Sequence, residues 1–100
     1  LLEIIKKFIR SEKMILYAAI LETIDEKKDM EILDIHKAYL QKFIDEGKIF
    51  AKGPFTDHSG GLVIYRANSY EEAKEMAEND PAVLQKSRTL TLKEWRSNIE

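Results

Sequence analysis

The stretch "MILYAAIL", Met14–Leu21, is apolar on both of its alternating sets of side chains, and so is "LVIY", Leu62–Tyr65. A strand with one wet face alternates apolar and polar residues. These two do not, so both belong in the middle of a sheet that is covered on each side. The other strand candidates, "KIFAKGPF" (Lys48–Phe55) and "RTLTLKEW" (Arg88–Trp95), are interrupted by Lys48, Lys52, Arg88 and Lys93. They are expected at the sheet edges.

Helical patterns fill the gaps between strands. "DEKKDMEILDIHKAYLQKFIDEG", Asp25–Gly47, predicts one helix, capped by Asp25 or Asp29 and ended by Gly47. "SYEEAKEMAEND", Ser69–Asp80, opens on the capping-box pair Ser69 and Glu72. In "DPAVLQKS", Pro81 takes the first position of a further helical turn. The order is β-α-β-β-α-β, an α+β ferredoxin-like fold with a four-stranded antiparallel sheet and both helices on one face. That leaves the second face of the central strands bare. A second copy is the simplest cover, sheet against sheet about 10 Å apart, so the expected partner is the chain itself, as a homodimer or higher assembly. Ahead of the domain at 13–97, "LLEIIKKFIRSEK" spaces Leu1, Ile5, Phe8 and Ile9 as a short amphipathic N-terminal helix over 1–12.

Composition narrows the function. With 16 Lys+Arg against 18 Asp+Glu, the basic footprint of a nucleic-acid binder is missing. No cysteine and only two histidines argue against thiolate or multi-histidine metal sites. No apolar run approaches the roughly 18 residues of a membrane span. Glu3 and Lys6-Lys7 make the start unlike a signal peptide, so a cytoplasmic protein is expected.

His36 is the most informative single residue. On a helical wheel it falls within the stripe Ile32, Leu33, Ile35, Tyr39, Leu40, Phe43 and Ile44, facing the sheet. It is either a core histidine satisfied by a backbone carbonyl or an imidazole at the floor of a cleft. In the second case its reference pKa of ~6.5 suits acid–base work, given a partner that fixes its tautomer. Asp80 is the candidate partner, although Asp before Pro is also an ordinary helix cap. The segment "GPFTDHSGG", Gly53–Gly61, lacks any phosphate-loop motif and reads as a hairpin whose edge lines a pocket. Asp57 and Ser59 bond the local backbone there, His58 faces solvent, and the amides of Gly60 and Gly61 are candidates to stabilise developing negative charge. Tyr17, Tyr39 and Tyr65 lie on core elements, and Trp95 closes the core or the dimer interface.

Together, "IHKAYLQKFIDEGKI", "AKGPFTDHSGGLVIY", "SYEEAKEMAENDP" and a closing strand with Trp95 resemble the YciI-like (YCII-related) family over Lys13–Trp95. The resemblance implies a dimeric α/β barrel of ferredoxin-like subunits, related in fold to muconolactone isomerases. It also implies an active-site dyad at His36 and Asp80, with Gly53, Pro54, Phe55, Gly60 and Gly61 near the ligand. Ala82 departs from the bulkier residue that usually follows "DP" in the family. The expected function is therefore a cofactor-independent isomerase or lyase acting by His/Asp acid–base chemistry on a small anionic or lactone-type metabolite. The alternative is a non-catalytic dimeric module for a small ligand or a protein.

Overall fold

The computed structural model describes residues 14–99; the expected N-terminal helix lies outside them. The elements are β1 (Ile15–Thr23), α1 (Glu26–Glu31), α2 (Leu33–Asp45), β2 (Ile49–Pro54), β3 (Gly60–Tyr65), α3 (Tyr70–Glu78), α4 (Pro81–Leu84) and β4 (Arg88–Arg96). The strands form one sheet in the order β2-β3-β1-β4 with every pair antiparallel. The strands that carry the two apolar stretches, β1 and β3, are the inner ones, and those interrupted by Lys and Arg are the edges.

Register assigns the faces. Tyr17 sits opposite Tyr65, Ala19 opposite Val63 and Leu21 opposite Gly61. These side chains meet Leu40 and Phe43 of α2 and Ala73, Met76 and Ala77 of α3 in one buried core. On the reverse face Ala18 pairs with Ile64 and Ile20 with Leu62. There Ala18, Leu62 and Ile64 line a largely apolar surface with Phe50, Ala51 and Trp95, edged by Lys93 and Glu94. Trp95 is 41% and Phe50 39% exposed, so nothing among the described residues buries this face fully.

The caps follow the sequence with one correction. Asp25 accepts from Lys28 N, Ser69 from Glu72 N and Asp80 from Ala82 N, with Pro81 opening α4. The single helix expected over Asp25–Gly47 is two helices, broken at Ile32, whose φ of −102° and ψ of 7° leave helical geometry. Ile35 is correspondingly half exposed, whereas His36, Leu40 and Phe43 are buried. The break lets the two helices aim differently: Asp29 on α1 reaches β4, and His36 on α2 reaches the start of α4.

Gly60 explains why the hairpin ends on two glycines. Its φ is +151°, and a Cβ there would stand 1.8 Å from Leu21 O. Only glycine fits where β3 begins pairing with β1. At the hairpin tip Asp57 Oδ1 accepts from Ser59 N and Oγ, and His58 is exposed, as the sequence implied.

Candidate active site

The fold brings His36 and Asp80 together. His36 Nδ1 lies 2.6 Å from Asp80 Oδ1, with His36 6% and Asp80 1% exposed. Asp80 Oδ1 also accepts the Ala82 amide at 2.9 Å. The carboxylate is thus a helix cap and a histidine partner at once. A carboxylate on Nδ1 selects the tautomer with hydrogen on that nitrogen and leaves Nε2 as the basic one. Among the described residues, Asp80 Oδ2 is the one fully buried side-chain polar atom without a partner. His36 Nε2, which bonds to nothing described, is therefore not sealed in.

His36 opens into a cleft of about 120 Å³ lined by Leu33, Leu40, Gly53, Pro54, Gly61 and Val63, with Lys37, Lys52 and Arg88 supplying charge. Of the five glycine and hairpin residues named from the sequence, Gly53, Pro54 and Gly61 line this cleft. Phe55 lines an adjoining groove with Ala51, Leu62 and Ile64. Gly60 lines a neighbouring depression that shares Pro54 and Arg88 with the cleft, with Thr23, Asp29 and His58. Gly60 and Gly61 sit on an inner strand paired with Glu22 and Leu21. On the side of β2, Phe55 N donates to Gly60 O at 2.8 Å, so this end of β3 is tied to both of its neighbours.

Tyr39 and Tyr65 come near the dyad without lining the cleft. Tyr39 donates to Met76 O at 2.8 Å. Burial, then the charge of Asp80, pushes its hydroxyl up to about 12. The same two causes raise Tyr65 further still. Both phenols stay protonated at neutral pH and act as packing.

The second charged group was not apparent in the sequence. Arg88 Nε and Nη2 donate to Asp29 Oδ1 and Oδ2 at 2.8 and 2.9 Å, and Ser87 Oγ donates to Asp29 Oδ1 at 2.9 Å. Burial alone would raise the Asp29 carboxyl, but the Arg88 and Ser87 hydrogen bonds outweigh it and hold it below the ordinary value. Arg88 had stood out only as a charge interrupting an edge strand, and Asp29 only as an alternative cap. Nearly sixty residues separate them in the chain, and no local pattern links them.

Among the described residues no group of three or more His, Cys, Asp or Glu is placed to hold a metal, and no helix is long and apolar enough to cross a membrane. The geometry defines a ferredoxin-like α+β domain with a buried histidine–carboxylate pair at the floor of a cationic cleft. The YCII-related domain model matches residues 14–96, and the chain belongs to that family. It is 38% identical to the uncharacterized protein YjpA of Bacillus subtilis over 71 residues, covering 71% of this chain and 84% of that protein. In fold it is similar to the 5-chloro-2-hydroxyhydroquinone dehydrochlorinase TftG of Burkholderia phenoliruptrix, solved with 2,5-dihydroxybenzoquinone. That match has a TM-score of 0.69 at 22% identity and covers 80% of this chain and 92% of the other.

Proposed function

We propose that the chain is a homodimeric, cofactor-independent acid–base enzyme of the isomerase or lyase type, acting on a small anionic or lactone-type metabolite. The observation that carries this is the 2.6 Å contact between His36 Nδ1 and Asp80 Oδ1 in a cleft whose charged lining is Lys37, Lys52 and Arg88. In the proposed step His36 Nε2 removes a proton from an acidic C–H or O–H of the substrate. The electron pair then either relocates a double bond, which is reprotonated elsewhere, or expels a leaving group such as halide. Asp80 holds the ring in place and stabilises the imidazolium that forms. The cationic lining holds the substrate's negative charge. The dehydrochlorinase named for the fold neighbour is an elimination of this kind, though likeness of fold does not carry a reaction by itself.

The homodimer is supported by the apolar reverse face of the sheet. Contiguous apolar surface on a soluble domain marks an interaction site, and a second copy buries it face to face.

The test is proton exchange, which needs no knowledge of the leaving group. A panel of single-ring phenolates and lactones is incubated with the protein in D2O, and deuterium incorporation is followed by NMR. Exchange by the wild type that disappears in His36→Ala is expected. Equal exchange by both refutes the assignment. Binding of panel members without exchange identifies a non-catalytic ligand-binding module instead.

A further inference from the structure

We propose that Arg88, pinned by Asp29, is the anion anchor of the cleft, so that the ligand is a single-ring carboxylate or phenolate whose charge rests on Arg88 Nη1. This deepens the acid–base reading and rests on it for the position of the reacting proton at His36.

The geometry of the guanidinium carries the inference. Arginine offers its N–H donors in a fixed planar fork. Here the Nε–Nη2 edge is spent on Asp29 at 2.8 and 2.9 Å, with Ser87 Oγ bracing the same carboxylate. The side chain is only 13% exposed. Nη1 is the nitrogen outside that pair. It bonds to nothing among the described residues and is not among the fully buried unpartnered atoms. It lies over the Gly61 backbone, where an added Cβ would stand 3.5 Å away. Gly61, Arg88 and His36 all line the same cleft. A donor oriented in advance by its own carboxylate loses little freedom on binding an anion.

Charge and size narrow the ligand. The ionisable groups lining the cleft are His36, Lys37, Lys52 and Arg88, with no acid among them; Glu26 and Asp29 line the neighbouring depression that shares Arg88. Lys37 and Lys52 are exposed and serve to attract an anion over distance. Arg88 is the half-enclosed one that can hold it. The volume of about 120 Å³ compares with the roughly 150 Å³ apolar cavity that accepts benzene. The cleft is smaller than that cavity but open on one side, so a single ring seated between Leu33, Leu40 and Val63 with one edge toward solvent is the size it suits. Gly61 is where the absence of a side chain matters, since a methyl there would lie 3.0 Å from Gly53 O and would occupy the contact space beside Nη1, 3.5 Å away.

The test compares benzoate with benzamide, equal in shape and different in charge, by titration calorimetry, with the His36 imidazole NMR signals reporting whether the cleft is occupied. Wild type is expected to bind benzoate at least about tenfold more tightly than benzamide, the scale of one charge-assisted hydrogen bond. Arg88→Met leaves the half-buried Asp29 without its arginine and is prone to destabilise the fold, so the decisive variant is Arg88→Met with Asp29→Asn, which removes both charges. It is expected to bind the two rings alike. Gly61→Ala, with Arg88 intact, is expected to weaken benzoate. Asp29 is a positioning residue: Asp29→Asn alone should raise KM in the exchange assay without a matching fall in kcat. The anchor is refuted if a folded double variant prefers benzoate as wild type does, if wild type binds both rings equally, or if benzoate shows no saturable binding. The two proposals fail separately. Benzoate held through Arg88 with no ring ever exchanged ends the acid–base reading alone. Exchange with unchanged KM in the double variant ends the anchor alone.

Discussion

Truncating Asp80 separates its two duties. Asp80→Ala deletes the acceptor for Ala82 N at 2.9 Å and for His36 Nδ1 at 2.6 Å in one step. Loss of the cap costs about 0.5–2 kcal/mol. The His36 N–H, left without an acceptor beneath the core, costs about 1–3 kcal/mol more. Together these predict a loss of about 1.5–5 kcal/mol. His36→Ala leaves the cap bond but strands a carboxylate whose Oδ2 already lacks a partner. Leaving a buried carboxylate without its hydrogen-bond donor costs roughly 3 kcal/mol. In the double variant neither group is stranded, so the penalties must not add: a coupling energy of about 1.5–3 kcal/mol is expected. Urea unfolding of the four proteins measures it from the midpoints and slopes. One fixed protein concentration is used, because the stability of the proposed dimer would depend on it. If the two single losses sum to the double within about 0.5 kcal/mol, His36 and Asp80 do not interact and the site as described is wrong.

Gly60→Ala must displace backbone, since its Cβ would fall 1.8 Å from Leu21 O. A loss of about 3 kcal/mol or more in the same urea assay is expected, and one under about 1 kcal/mol would contradict the hairpin geometry. The Asp29 carboxyl titrates below its ordinary 3.8 in the folded chain, so on acidification the unfolded chain takes the proton first. The stability it contributes is present above that value and lost as pH falls through the folded pKa. The advantage of wild type over Asp29→Asn in thermal melts should therefore shrink below about pH 3.8; an advantage independent of pH would remove the Arg88 pair as its source. Trp95→Glu places a charge on the half-exposed apolar face and should shift sedimentation at low micromolar concentration from dimer to monomer. A wild type that sediments as a monomer there would refute the homodimer.

Much of the architecture was legible because it is written in local periodicity. Two strands apolar on both sides had to be inner, and Lys48, Lys52, Arg88 and Lys93 marked the edges. Ser69, Asp80 and Pro81 announced their helix starts through side chains that satisfy amides a few residues away. His36 was visible as an imidazole misplaced in an apolar stripe, and the family resemblance pointed to Asp80. The break at Ile32 was not legible, because Ile32 suits either a continuous helix or a boundary and no glycine or proline marks the spot. Ile35 was assigned to the buried stripe for the same reason.

By itself, the sequence determined which segments are strands and which of them are inner, which residues cap, and which one histidine stood in apolar company, since each depends on contacts within a few positions or on the period of a strand or helix. Tertiary structure alone decided that His36 meets Asp80 across 44 positions and that Arg88 meets Asp29 across 59. It alone aimed both at one cleft. The physical reason is that hydrogen bonds between charged side chains act over about 3 Å, and which groups come that close is set by how the helices cross the sheet, a property no run of neighbouring residues encodes.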